Sequence, residues 1–219
     1  PPGAASLKTT APASINQTMG TKEWLLMIVL STIWGGSFFF VGVAVRELPP
    51  LTIVWCRVGL AAVILLGFAG LSGRRLPSAW SFWGAILVMG TLNNLIPFSL
   101  IVWGQTHIDS SLASILNATT PIFSVILAHL LTREERLTPN RTAGVFIGWI
   151  GVAVLIGVDS LGGFGIQGLG QLAVLGASCA YAFAAIYGRR FRNLDPVVVS
   201  TGMLCASTLM MLPVALIFE

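Results

Sequence analysis

With 219 residues, of which 55% are hydrophobic and only 9% charged, the chain has too little polar surface to coat a water-soluble globule. Its net charge of +4 would suit an anionic partner, but the basic residues are scattered over short connections and form no binding stripe, which argues against nucleic acid. The implied solvent is the lipid bilayer, where runs of roughly 20 apolar residues cross as helices because backbone polar groups find no water to pair with.

Residues 1–23 mix Pro, Ala, Ser and Thr without periodicity and read as a disordered cytoplasmic tail. The first apolar run, Trp24 to Val45, contains Trp34-Gly35-Gly36-Ser37 close to its midpoint. Tryptophan favours the membrane interface, and Trp24, Trp55 and Trp80 fit that belt; Trp34 does not. It either packs in the bundle or forms one wall of a substrate path.

The second run, Pro50 to Leu71, carries Arg57 two turns in, roughly 10 Å from Pro50 by helical rise. An arginine near the bilayer centre costs about 2.5 to 3.5 kcal/mol on insertion scales, so it needs a partner, water or a function. Snorkelling or carbonyl bonding stands against solute contact.

The third run, Trp80 to Thr106, is longer than a span requires, and it holds Asn93, Asn94 and Pro97. Asn94, Pro97, Ile101 and Gln105 share one helical face. Such a face suits a polar cavity, in which the carbonyl freed by Pro97 can be satisfied; bonding between helices is the alternative. In the fourth run, Leu112 to Thr132, Asn117, Pro121, Ser124 and Ala128 are expected on one face, flanked by Thr119 and Thr120. Asn117 and Thr120 are its stronger candidates for solute contact. His107 and His129 sit near the ends of these runs and read as interfacial residues.

The fifth run, Thr138 to Val158, shows Gly144, Gly148 and Gly151, a spacing typical of helix packing. A glycine-rich join over 159–168 follows. The sixth run, Leu169 to Gly188, places Tyr181 where it could face Trp34, and the seventh extends from Pro196 to Phe218. Cys56, Cys179 and Cys205 all lie inside runs, without CxxC or Cys/His spacing, which points away from disulfides and metal sites. No acidic residue lies within a run, and no cofactor is implied.

Ten of the twelve Lys and Arg residues fall in alternate connections: Lys8 and Lys22, then Arg74 and Arg75, then Arg133, Arg136 and Arg141, then Arg189, Arg190 and Arg192. By the positive-inside rule the amino terminus is cytoplasmic. Arg46 lies in an opposite connection, and Arg57 is the charge the pattern leaves over. Leu48-Pro49-Pro50-Leu51 is faintly repeated by Leu194-Asp195-Pro196-Val197, and Trp34-Gly35 by Tyr181-Ala182. Five helices before the join invert the unit after it, an arrangement common in secondary transporters.

These residues resemble the EamA-type members of the drug/metabolite transporter superfamily. Ile33-Trp34-Gly35-Gly36-Ser37-Phe38 is similar to the family's opening signature, and Pro50 through Arg57-Val58-Gly59 to its second-helix pattern. Most specific is Ala113 to Gly157, with Thr119-Thr120-Pro121-Ile122, Leu130-Leu131, Glu135-Arg136-Leu137-Thr138, Gly144 and Gly151 in the family's order. The resemblance implies an all-α polytopic membrane protein of ten helices in two inverted five-helix repeats. Seven helices would be seen here: the first repeat over 24–158 and two helices of the second over 169–219, so a chain truncated at its carboxyl end is expected. It also implies a multi-pass transporter of the bacterial inner (plasma) membrane moving small metabolites such as amino acids or drugs, with no metal or cofactor and with homodimerisation left open. The site residues expected are Trp34, Asn93, Asn94, Asn117, Thr120 and Tyr181, with Arg57 as the intramembrane charge and Pro97 and Pro121 as kinks. Glu135 is implied as a cytoplasmic clamp. A seven-helix receptor fits the cytoplasmic amino terminus poorly. An intramembrane enzyme would need a nucleophile with a base, or paired carboxylates, and the runs supply neither.

Overall fold

The computed structural model describes residues 20–132, 138–156 and 165–219. The tail over 1–19, Glu135 with its neighbours Arg133, Glu134 and Arg136, and most of the glycine-rich join lie outside them. Among the described residues all regular structure is helical: α1 (Thr21–Ala44), α2 (Pro50–Leu71), α3 (Trp80–Gly90), α4 (Ile96–Gln105), α5 (Ser110–Asn117), α6 (Thr120–Leu131), α7 (Pro139–Ile156), α8 (Ile166–Gly188) and α9 (Pro196–Phe218). Six helical runs are long and apolar enough to cross a membrane, with α3 and α4 forming one continuous run and α5 and α6 another. The remaining expected run, the fifth, corresponds to α7, of 18 residues. The protein is an all-helical polytopic membrane protein.

The chain divides into two compact units, Pro1–Gly36 and Ser37–Glu219. The described part of the first is a helical stretch of α1, in which Thr32 Oγ1 donates back to Ile28 O at 2.9 Å.

Within the second unit, proline and aspartate set the helix starts. Pro50, Pro121, Pro139 and Pro196 occupy first turns, where a missing N–H leaves nothing unpaired. Asp195 caps α9 by accepting from Val197 N at 2.8 Å. The α2 terminus is closed by Gly73 at φ +68°, and Arg74 N reaches back to Ala69 O at 2.9 Å, a turn that a side chain at Gly73 would strain.

Helices α2 and α9 pack antiparallel. At one end Arg74 Nε donates to Asp195 Oδ2 at 2.6 Å; at the other, Leu51 N and Thr52 N donate to the Glu219 carboxylate at 2.7 and 2.8 Å. The carboxylate thereby meets the orphan amides at the start of α2. Helix α8 lies against α4, α5 and α6, and α3 against α9.

Small residues allow the closest crossings. A Cβ on Gly104 would stand 2.9 Å from Gly170 O and 2.8 Å from Val174 Cγ2. A Cβ on Gly90 would stand 2.8 Å from Ser207 Oγ. Large apolar side chains face outward, among them Leu60, Val63, Phe146, Ile150 and Leu216, as expected where lipid replaces water. Trp24 and Trp80 are exposed. Trp55 is half-buried and packs on the core of Val41, Ile53, Val54, Val102 and Met211.

Candidate functional site

Two interruptions in the helices bring the polar residues together. The first separates α3 from α4, where Thr91–Leu95 forms a wide turn and Ile96 N bonds back five residues to Thr91 O. Pro97 has no N–H to continue the ordinary ladder, so this turn absorbs the mismatch that the sequence predicts as a kink. It buries Asn94, 2% exposed, and directs its Nδ2 to Ser207 Oγ on α9 at 3.0 Å. Asn93 Nδ2 lies 3.4 Å from Asn94 Oδ1 and 3.6 Å from Met203 Sδ. Both asparagines thus spend their donors on contacts between and within helices, the packing alternative.

The second interruption is sharper than a kink. Ala118 and Thr119, with ψ values of −4° and −8°, end α5 and let Pro121 open α6 as a new helix. The register therefore breaks, and the expected common face of Asn117, Pro121, Ser124 and Ala128 does not form: Asn117 and Ala128 are buried, Ser124 is half-buried and Pro121 is exposed. The carbonyl of Asn117, which Pro121 cannot pair, accepts from Thr120 Oγ1 at 2.7 Å and lies 3.4 Å from Ser178 Oγ on α8. Thr120 is in this way a backbone substitute. Its hydroxyl is already used.

The Asn117 side chain is different. It is 8% exposed, and its Oδ1 has no hydrogen-bond partner among the described residues. The hydroxyl of Tyr181 is likewise buried and unpartnered. Ser178 and Tyr181 sit three apart on α8 and so share one face, which puts Tyr181 one turn beyond the residue that touches Asn117 O. Tyr181 meets Phe98 edge to face, ring centroids 6.5 Å apart, and Arg57 Cζ lies 4.3 Å from the Phe98 centroid on its other contact. Ring contacts thus link Arg57, Phe98 and Tyr181 across α2, α4 and α8, and Ser178, on the same face of α8 as Tyr181, reaches the backbone of Asn117 at the α5–α6 break. The arrangement offers a cation held on an aromatic face, together with a phenol and an amide oxygen that have no hydrogen-bond partner among the described residues.

Of the other expected residues, Trp34 belongs to the first unit and is 43% exposed. Glu135 lies outside the described residues. Phe98, Ser178 and Ser207 were not singled out from the sequence. Phe98 follows Pro97 in an apolar run and carries no local signal, whereas Ser178 falls in the small-residue stretch Gly176-Ala177-Ser178, which announces a close helix contact without saying with what.

Residues 21–157 match the model of the EamA-like transporter family. The chain is 25% identical to "Uncharacterized transporter YoaV" of Bacillus subtilis (strain 168) over 199 residues, 90% of this chain and 68% of that protein. It is 28% identical to "Uncharacterized inner membrane transporter YedA" of Escherichia coli (strain K12), over 85% of this chain and 60% of that protein. It is 27% identical to the "Probable amino-acid metabolite efflux pump" of the same strain, over 83% of this chain and 59% of that protein. The chain therefore spans about three fifths to two thirds of the length of these relatives. A solved structure titled "Crystal structure of protein" shares the fold, with a TM-score of 0.59 at 21% identity, covering 85% of this chain and 64% of that one.

Proposed function

Since this chain belongs to the EamA-like transporter family, we propose that it carries a small metabolite across the membrane through the polar cluster at the α5–α6 break. The observation that carries the reading is the pair of buried, unpartnered atoms, Asn117 Oδ1 and Tyr181 OH. A buried polar atom left unpaired is costly, and few persist in native proteins without a role. A solute passing between them would supply the missing donors and acceptors. The name of the Escherichia coli efflux pump supports an amino acid or related metabolite as the cargo. Alternating access by rocking of two inverted units is supported by the antiparallel packing of α2 on α9, the relation that inversion requires of equivalent helices. The charge distribution supports a cytoplasmic amino terminus.

The test is flux. Membrane vesicles carrying the protein are assayed with a panel of radiolabelled amino acids, and Asn117→Leu and Tyr181→Phe are compared with wild type at matched membrane abundance. The reading predicts at least tenfold slower flux in Asn117→Leu, from loss of about 1.4 kcal/mol or more of hydrogen bonding. Unchanged flux in both variants would remove the site.

A further inference from the structure

Away from the cluster just described, a cavity of about 550 Å³ opens where α1 ends, α4 ends, and α5 and α8 begin. Its wall is polar: Arg46, Gln105, His107, Asp109, Gln167 and Gln171 line it, with Ser110 and Thr106. Ser110 lies seven residues, roughly 10 Å of helical rise, from Asn117, so the cavity is a separate place. Gly42 belongs to its wall by necessity, since a Cβ there would collide with Ser110 Oγ.

Gln105 is 6% exposed and fixed in orientation, its Nε2 donating to Phe38 O and Ser110 Oγ, each at 2.9 Å. Because a carbonyl can only accept, the amide nitrogen must face Phe38 O, and Oε1 is the end left over. That oxygen is buried and unpartnered among the described residues. Arg46 and Asp109 bring opposite charges to the same cavity, yet the ion pair found among the described residues is Arg74 with Asp195, and neither Arg46 nor Asp109 joins one. The Asp109 side chain also makes no capping bond to α5.

We propose that this cavity is a second solute site, built for a small zwitterion that also carries a hydrogen-bond donor. A solute of one charge would meet a repelling group, whereas a zwitterion pairs its carboxylate with Arg46 and its ammonium with Asp109. A neutral amide or hydroxyl donor on the solute completes Gln105 Oε1. The charge pattern places this end of the helices on the outer face, where such a site would hold solute arriving from or leaving toward that side. The proposal concerns binding and does not require that the solute be transported.

L-glutamine is the probe, since its side-chain amide matches Gln105. Purified protein in detergent is titrated calorimetrically. Saturable binding is expected, with Arg46→Gln and Asp109→Asn each weakening it about tenfold, the scale of one charged hydrogen bond. N-acetyl-L-glutamine and L-glutaminamide, which each keep one charge, are expected to bind wild type no better than L-glutamine binds those variants. Arg46→Lys and Asp109→Glu should recover part of the affinity, which excludes simple misfolding. Absence of saturable L-glutamine binding to folded wild-type protein would overturn the proposal, as would equal affinity of both charge variants or of both blocked probes. The expected binding pattern in a protein that moves nothing across vesicles would leave this site standing and sink the transport reading. Flux through the Asn117 site with L-glutamine affinity unmoved in both charge variants would do the reverse.

Discussion

Arg57 is the charge that the positive-inside pattern leaves unexplained, and its guanidinium finds the ring of Phe98 at 4.3 Å. A flat cation over an aromatic face contributes about 0.5 to 2 kcal/mol, more as water is removed, which offsets part of the penalty for an arginine inside a span. Lysine would keep the charge and lose the planar stacking. Phe98→Leu should therefore lower thermal stability by a similar amount, and Arg57→Gln with Phe98→Leu should together lose less than the sum of the two. Tryptophan-fluorescence melts of the purified variants check this; additive losses would mean the two residues do not act as a pair. A second residue-scale prediction concerns Asp195, whose carboxyl is held below its ordinary range, first by the hydrogen bond from Arg74 and then by the backbone N–H of Val197. A carboxyl with a lowered folded value contributes stability that is present at neutral pH and fades as pH falls from the ordinary carboxylate value, 3.8, through the lowered one. The pair is exposed, so the effect is small and salt-sensitive. Melts of Asp195→Asn should lose less stability than wild type over that acid window, and identical pH profiles would show the pair to be inert. The sequence marked Arg57 as anomalous by its position alone, but an aromatic in an apolar run carries no sign of what it will face, which is why Phe98 was invisible.

At the scale of elements, helix positions were readable because the bilayer fixes their length and proline fixes their starts. The Pro50–Leu71 and Pro196–Phe218 bounds match the expected runs, and the others differ by a few residues. The break between α5 and α6 was not readable. A proline in an apolar run permits either a bend or a restart, and what decides is whether another helix satisfies the freed carbonyl; here Thr120 and Ser178 do so for Asn117 O. The restart rotates Pro121 away from Asn117, whose side-chain oxygen keeps unused capacity. The same logic governs helix crossings. Gly104→Ala should destabilise by about 1 to 3 kcal/mol, because its Cβ would press on the backbone of Gly170, while Gly144→Ala, with nothing within 4 Å, should be neutral. Equal melting temperatures for the two variants would contradict the close α4–α8 crossing.

For the molecule as a whole, composition and charge spacing were enough to identify a polytopic membrane protein, since both are averages over many residues. The order of helices in space is set by particular contacts, such as Arg74 with Asp195 and Glu219 with the start of α2, that no average contains. Transport through the α5–α6 break, as proposed, requires that Asn117 line a path reached in turn from both faces of the membrane. The direct measurement places a single cysteine there, as Asn117→Cys with Cys56, Cys179 and Cys205 replaced by serine, and exposes sealed vesicles of each orientation to a membrane-impermeant thiol reagent. Modification from either side, slowed by transported solute, is the predicted result. Modification from neither side, or from one side alone under all conditions, would contradict it.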